Sequence, residues 1–374
     1  MDSYIATPGA LAELVAQLRR EPLVGADTEA ASFHKFRDRI YLLQFSAPNR
    51  TAIVDPLAVA DLTPVGDLLK DAAVEKIFHD ADYDLRILDR DYGFRLVRVF
   101  DTRIAAQLAG EPAIGLGAML EKYAGVKLSK AHQKADWSQR PLPPGMLAYA
   151  GDDTRYLATL RAALRDRLTA LGRLPWAEEE FARLESLRWS PPGDGEEAYL
   201  RLKGAKQLPP RSLAALRELV RWRESEAERE DKALFRIIGN EALLAVSKAL
   251  PQAAADLARL TPALPASLAR RHGTALLDAV ARARAQPEDD LPRVERAPRA
   301  PKDPTFDERV ERLKAARNKV AAELQLDPGV LCGRTTLEAV ARARPNDRAG
   351  LARVGELRRW QVETLGDALL GALG

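Results

Sequence analysis

Residues 21–33 read EPLVGADTEAASF, and the triplet Asp27-Thr28-Glu29 inside them decides the reading of the first half of the chain. Pro22 followed by Leu23 and Val24 predicts a short buried strand. Side chains alternate along a strand, so Asp27 and Glu29 point to one face. Two carboxylates on one face at the end of an apolar strand repel each other and shift their pKa values. A divalent cation with hard oxygen preferences removes that conflict. The plain alternative is a solvated acidic turn.

Two distant segments supply companions. KIFHDADYDLRILDR at 76–90 begins as a strand and turns into a helix, with Asp80, Asp82 and Asp84 crowded at the junction. Any one of them could serve only to cap the helix. GMLAYAGDDTRYLATLRAALRDRL, from 145 on, predicts an amphipathic helix with Leu157, Leu160 and Leu164 as packing positions. Tyr149 and Asp153 lie one turn apart on one face of it. The alternative is a surface aspartate paired with Arg155 or Arg161.

The order and form of the three segments resemble the exonuclease motifs of the DEDD superfamily, tyrosine subclass. Asp27 and Glu29 match its D-x-E motif, and HDADYDL resembles its H-x-x-x-x-D-L, which selects Asp84. Tyr149 and Asp153 match Y-x-x-x-D, with Asp152 out of step. RIYLLQFSA at 39–47, TAIVDPL at 51–57, VFDTRIAAQLAG at 99–110 and DWSQRPLPPGMLAYAGDDTRYL at 136–157 extend the likeness to the ribonuclease D family over roughly residues 1–170. The resemblance implies an α/β, ribonuclease H-like fold with a mixed sheet flanked by helices. It implies 3′–5′ hydrolysis of phosphodiesters at two divalent ions, Mg²⁺ or else Mn²⁺, held by Asp27, Glu29, Asp84 and Asp153. Tyr149 would orient the attacking water, because an ordinary tyrosine pKa near 10 makes a poor base at neutral pH. Thr28, Phe33, His34, Lys130 and Arg140 are candidate contacts to the strand, with Phe36 and Tyr41 as further stacking candidates. Trp137 reads as a packing residue.

The second half carries an internal repeat. Adding 94 to Leu219, Arg223, Ala227, Leu243, Val246, Pro251 and Leu257 reaches Leu313, Arg317, Ala321, Leu337, Val340, Pro345 and Leu351. Near the end the offset is 93, where Gly273, Ala275, Leu276 and Leu277 meet Gly366, Ala368, Leu369 and Leu370. Each copy reads as several short helices and resembles an HRDC domain. The second departs at Asn318 and Gly329, where the first has Glu224 and, nearby, the bulkier Phe235. Residues 205–285 hold 14 Lys and Arg against 9 Asp and Glu, and 307–374 hold 12 against 10. The first copy is therefore the better phosphate-facing candidate, with Arg211, Arg217, Arg221 and Lys232 as contacts.

The expected organisation is a nuclease domain at 1–170, a connecting helix and linker at 171–204, and the first all-α HRDC domain at 205–285. A Pro- and charge-rich linker at 286–306 and the second HRDC domain at 307–374 complete it. That second linker should be stiff and extended and let the helical modules move relative to each other. A net charge of +3 argues against indiscriminate nucleic-acid binding. The lone Cys332 forbids an internal disulfide, and with four His it disfavours structural zinc. No signal peptide or membrane-length apolar run is visible. The expectation is a cytoplasmic, monomeric enzyme that trims RNA with a free 3′ end, tRNA precursors above all. A DNA 3′–5′ exonuclease is the nearest alternative, and a catalytically lapsed RNA-binding scaffold is the other.

Overall fold

The computed structural model describes residues 3–191, 195–294 and 303–374. Part of each expected linker, 192–194 and 295–302, lies outside the described residues. Six strands form one sheet: β1 (Ser3–Ile5), β2 (Leu23–Ala30), β3 (Ile40–Ala47), β4 (Arg50–Val54), β5 (Glu75–Phe78) and β6 (Val99–Asp101). Their spatial order is β1-β4-β3-β2-β5-β6. The β3–β4 pair is antiparallel, whereas β1–β4, β2–β5 and β5–β6 are parallel, so the sheet is mixed. β3 is buried from Ile40 to Ser46, the polar Gln44 and Ser46 included, as befits a central strand.

Among the described residues eight α-helices accompany the sheet: α1 (Pro8–Leu18), α2 (Thr63–Leu69), α3 (Asp82–Tyr92), α4 (Thr102–Leu108), α5 (Leu116–Ala124), α6 (Pro144–Arg155), α7 (Leu157–Ala170) and α8 (Leu174–Glu185). The single long helix expected after residue 144 is two. It breaks at Tyr156, whose φ of −106° and ψ of 4° leave the helical region. The break lies beside a close approach: a Cβ on Gly25 of β2 would sit 2.8 Å from the Thr154 carbonyl oxygen. Only glycine lets α6 come so near β2. A hydrogen bond between the Ser46 and Thr154 hydroxyls, 2.7 Å, ties the same end of α6 to β3.

The first repeat comprises α9 (Pro210–Glu230), α10 (Leu234–Ile237), α11 (Asn240–Ala249), α12 (Ala254–Ala258) and α13 (Ala266–Ala285). The second comprises α14 (Phe306–Leu324), α15 (Pro328–Leu331), α16 (Arg334–Ala343), α17 (Arg348–Ala352) and α18 (Arg359–Leu373). The chain divides into two compact units. One gathers residues 1–29, 40–189 and 301–374, so the second repeat packs with the sheet and its helices. The other gathers 30–39 and 190–300, so the segment just after the first motif packs with the first repeat. Among the described residues no helix is long and apolar enough to cross a membrane.

Candidate active site

The carboxylates come together from three elements of one unit. Asp27 and Glu29 stand on one face of β2, and Asp153 reaches them from α6. One oxygen of each lies within 4.8 Å of the others. Gly25 permits this, because it sets how close α6 may come. Asp84, in the first turn of α3, accepts a hydrogen bond from Thr28, the residue between the two β2 carboxylates. Thr28, expected to touch the strand, spends its hydroxyl on Asp84.

The three aspartates of the middle segment have separate fates. Asp80 pairs with Arg103, and Asp82 pairs with Arg86 at 2.7 Å. Asp84 alone is buried, at 6% exposure. The turn before it is fixed by Asp101, which accepts from the backbone N–H groups of Asp80 and Ala81 at 3.2 and 2.7 Å and also caps α4. On α6, Asp152 takes the surface role, 3.1 Å from Arg155, while Arg161 pairs with Glu75.

Burial, with repulsion from the neighbouring carboxylates, holds Asp27 and Glu29 well above the usual carboxylate range. Burial likewise pushes Asp84 and Asp153 up to about 7. A buried carboxylate cluster that resists ionisation is the donor set a hard divalent cation restores to its charged form. The residues therefore fit divalent metal ions. Tyr149 hydrogen-bonds to Asp153, and burial plus that carboxylate raise its pKa, so the phenol keeps its proton. Its ring is flanked by His132 and by the buried Trp137, with ring centres 5.9 and 6.1 Å away.

A cavity of about 740 Å³ opens beside this cluster, lined by Asp27, Tyr149, Asp153, His79, Gly117 and Lys130 among others. Lys130 is exposed there, as a phosphate contact requires. His79 and His132 were not singled out from sequence, although His79 heads the HDADYDL motif. Thr102 donates to the Phe78 carbonyl at 3.0 Å, so His79 Nδ1 must be the donor in its 2.9 Å bond to Thr102. Burial depresses the His79 pKa to about 4, which keeps the ring neutral.

Other expected contacts have partners within the protein. Arg140 uses all five of its donors: two on Asp55, at 2.7 Å each, and three on the carbonyls of Tyr41, Trp137 and Gln139. It braces the loop that holds Trp137 and has no donor left for phosphate. Tyr41 is buried and presents no face for stacking, and Phe36 is half-buried against the first repeat's core. Arg211 donates to the carbonyls of Ala283 and Gln286 at the end of α13, and Arg217 to the Gln286 side chain. Arg221 pairs with Glu218 and Lys232 with Glu230. Phe33 is exposed, and His34 meets Arg236 at 3.1 Å.

A family model described as 3′-5′ exonuclease matches residues 3–169, and one described as HRDC domain matches 212–280 and 306–373. Ribonuclease D of Pseudomonas paraeruginosa is 31% identical over 372 residues, 99% of this chain and 97% of that one. Ribonuclease D of Escherichia coli is 33% identical over 289 residues, 77% of this chain and 76% of that one. The crystal structure of the Escherichia coli enzyme, described as an exoribonuclease involved in structured RNA processing, aligns with a TM-score of 0.73 at 27% identity. That alignment covers 100% of this chain and 98% of that one. The chain belongs to the ribonuclease D family and is a 3′–5′ exoribonuclease with two HRDC domains.

Proposed function

We propose that this enzyme trims the 3′ ends of structured RNAs, tRNA precursors above all, as a cytoplasmic monomer using two Mg²⁺ ions. The observation that carries the catalytic assignment is the approach of Asp27, Glu29 and Asp153 to within 4.8 Å, with Asp84 linked to them through Thr28. In this reading the four carboxylates hold the ions. Bound metal supplies water activation and charge stabilisation at the departing 3′ oxygen. Tyr149, protonated, donating to Asp153 and flanked by His132 and Trp137, accepts a hydrogen bond from the attacking water and so orients it. Lys130 meets a phosphate at the cavity rim. The buried thiol of Cys332 suits a reducing compartment.

The test is product sizing over time on a tRNA carrying a short labelled 3′ extension. Wild type with Mg²⁺ should shorten the extension stepwise and stop near the mature end. EDTA should abolish this, and Asp27→Asn should slow it by about a thousandfold or more, since one ligand of the metal cluster is lost. Tyr149→Phe should cost about ten- to a hundredfold. Equal or faster shortening of a matched DNA tail would favour a repair-type DNA exonuclease. RNA binding without metal-dependent shortening of either tail would leave only a scaffold.

A further inference from the structure

Phe33 and Phe235 are large apolar side chains left 46% and 56% exposed, and they touch edge to face with ring centres 6.2 Å apart. Phe33 lies in the segment that packs with the first repeat, and Phe235 on that repeat's short helix α10. The pair is held in place from below. Arg236 donates to the Phe33 carbonyl and meets His34, the Ala233 N–H donates to the His34 carbonyl at 3.2 Å, and the half-buried Phe36 packs against the repeat's core. Such anchoring fixes two rings at the surface without covering them. Close to the rings in sequence are Lys35, Arg37 and Lys232, engaged with Asp231, Glu228 and Glu230. The Arg37–Glu228 pair is exposed on both sides, with Arg37 79% exposed, and such a pair contributes little.

We propose that Phe33 and Phe235 form a stacking platform for bases of the single-stranded 3′ tail, with these cations beside its phosphates. Aromatic faces and mobile cations together are what a single strand needs for sequence-tolerant binding. A tail rather than a folded helix is the occupant, because bases paired in a duplex have no free face to stack. The proposal rests on the exoribonuclease reading: the strand whose 3′ end such an enzyme processes is the tail this platform takes, and Phe33 follows Glu29 by four residues in the chain. The second repeat has no such ring: Gly329 stands at the position of Phe235.

The test is a fluorescence-anisotropy titration of the full chain in EDTA with a short fluorescent oligoadenylate. Phe235→Ala and Phe33→Ala should each weaken binding by about 5- to 100-fold, the range expected for losing one stacked base, with the salt dependence unchanged. Phe235→Trp should bind at least as well as wild type. Phe235→Leu, which stays apolar but cannot stack, should behave as Phe235→Ala. Wild-type affinity in Phe235→Ala, or full affinity in Phe235→Leu, would overturn the platform. Turnover of a dinucleotide by wild type with Mg²⁺ reports on the carboxylates separately. Its absence beside Phe235-dependent binding would sink the nuclease assignment and leave the platform standing.

Discussion

The two helical repeats share a frame and differ at their edges. At an offset of 94, the helix-ending residues Asp231 and Gln325 both adopt left-handed backbone, with φ of 47° and 54°. Leu250 and Arg344 do the same, at 47° and 46°. Leu219, Leu243, Val246 and Leu257 are buried like their counterparts Leu313, Leu337, Val340 and Leu351. The edges have diverged. Helix α18 is locked onto α8 of the nuclease: Trp360 stacks on Trp176 at 4.9 Å and donates to Glu180 at 2.8 Å. Glu179 accepts the free N–H groups of Arg359 and Trp360 at the α18 N-terminus, which also suits the helix dipole. At the matching place of the first repeat stands exposed Ser267. One fold thus serves as a buttress in one copy and presents an aromatic surface in the other. The residues on the edge decide which.

The largest effect should come from breaking the buttress. Trp360→Ala removes the stack and the bond to Glu180 and should cost about 3–5 kcal/mol in urea denaturation of the full chain. Ser267→Ala, its counterpart, should stay within about 0.5 kcal/mol. Equal costs would show that the second repeat does not lean on the nuclease.

The next effect should appear in the nuclease unit alone and depend on pH. Asp84 and Asp153 are held up to about 7, against about 4 in an unfolded chain. Between these values the folded chain binds more protons, so its stability falls as pH rises. The contribution is full below about pH 4 and lost above about pH 7. In EDTA the unfolding free energy of that unit, from urea denaturation, should drop across this range by an amount of order 2–4 kcal/mol, and its midpoint with it. Mg²⁺ should restore it at pH 8. A midpoint that rises with pH, or ignores Mg²⁺, would contradict the carboxylate cluster.

The sequence made the frame of both halves legible and hid much of what joins them. Strand and helix periods place Asp27 beside Glu29 and Tyr149 beside Asp153 on single faces, while the motif likeness is what joins the two pairs. The fold brings an oxygen each of Asp27, Glu29 and Asp153 within 4.8 Å of one another. Spacing could not separate Asp84 from Asp80 and Asp82 by chemistry. Their fates depend on Arg103 and Arg86, and the family likeness alone chose Asp84. Arg140 looked like a phosphate contact because its partner Asp55 lies 85 residues away. The repeat emerged from a fixed offset, since buried positions keep their residue types. The buttress did not, because Trp176 and Glu179 are about 180 residues from their partners and no periodicity links them.

A smaller effect should come from the turn after α4. Gly110 has φ of 76°, and a Cβ there would sit 2.6 Å from the carbonyl oxygen of Gln325 in the second repeat. Gly125 has a similar φ of 68° with open space around it. Gly125→Ala should cost about 1 kcal/mol, for left-handed backbone alone. Gly110→Ala should cost about 2–3 kcal/mol, the excess being the contact with the repeat. Equal losses would place the strain in the turn and not in the docking.

The smallest difference tests the shared frame itself. Arg223 and Arg317 occupy equivalent buried positions, but only one is well satisfied. Arg317 donates to the Cys332 carbonyl at 2.8 Å and twice to Asn318, at 3.1 and 2.8 Å. Arg223 donates to Asn240 at 2.6 Å, and its buried Nε has no partner among the described residues. Burial lowers the Arg223 pKa, a sign that the charge there is held at a cost. Replacing either by methionine keeps the stem's packing and removes the charge. Arg317→Met abandons a buried carbonyl and should cost about 1–3 kcal/mol. Arg223→Met also relieves a poorly satisfied charge and should cost less than about 1 kcal/mol. The reverse order would mean that the first repeat depends on its arginine more than its hydrogen bonds indicate, and that the two frames are not energetically alike.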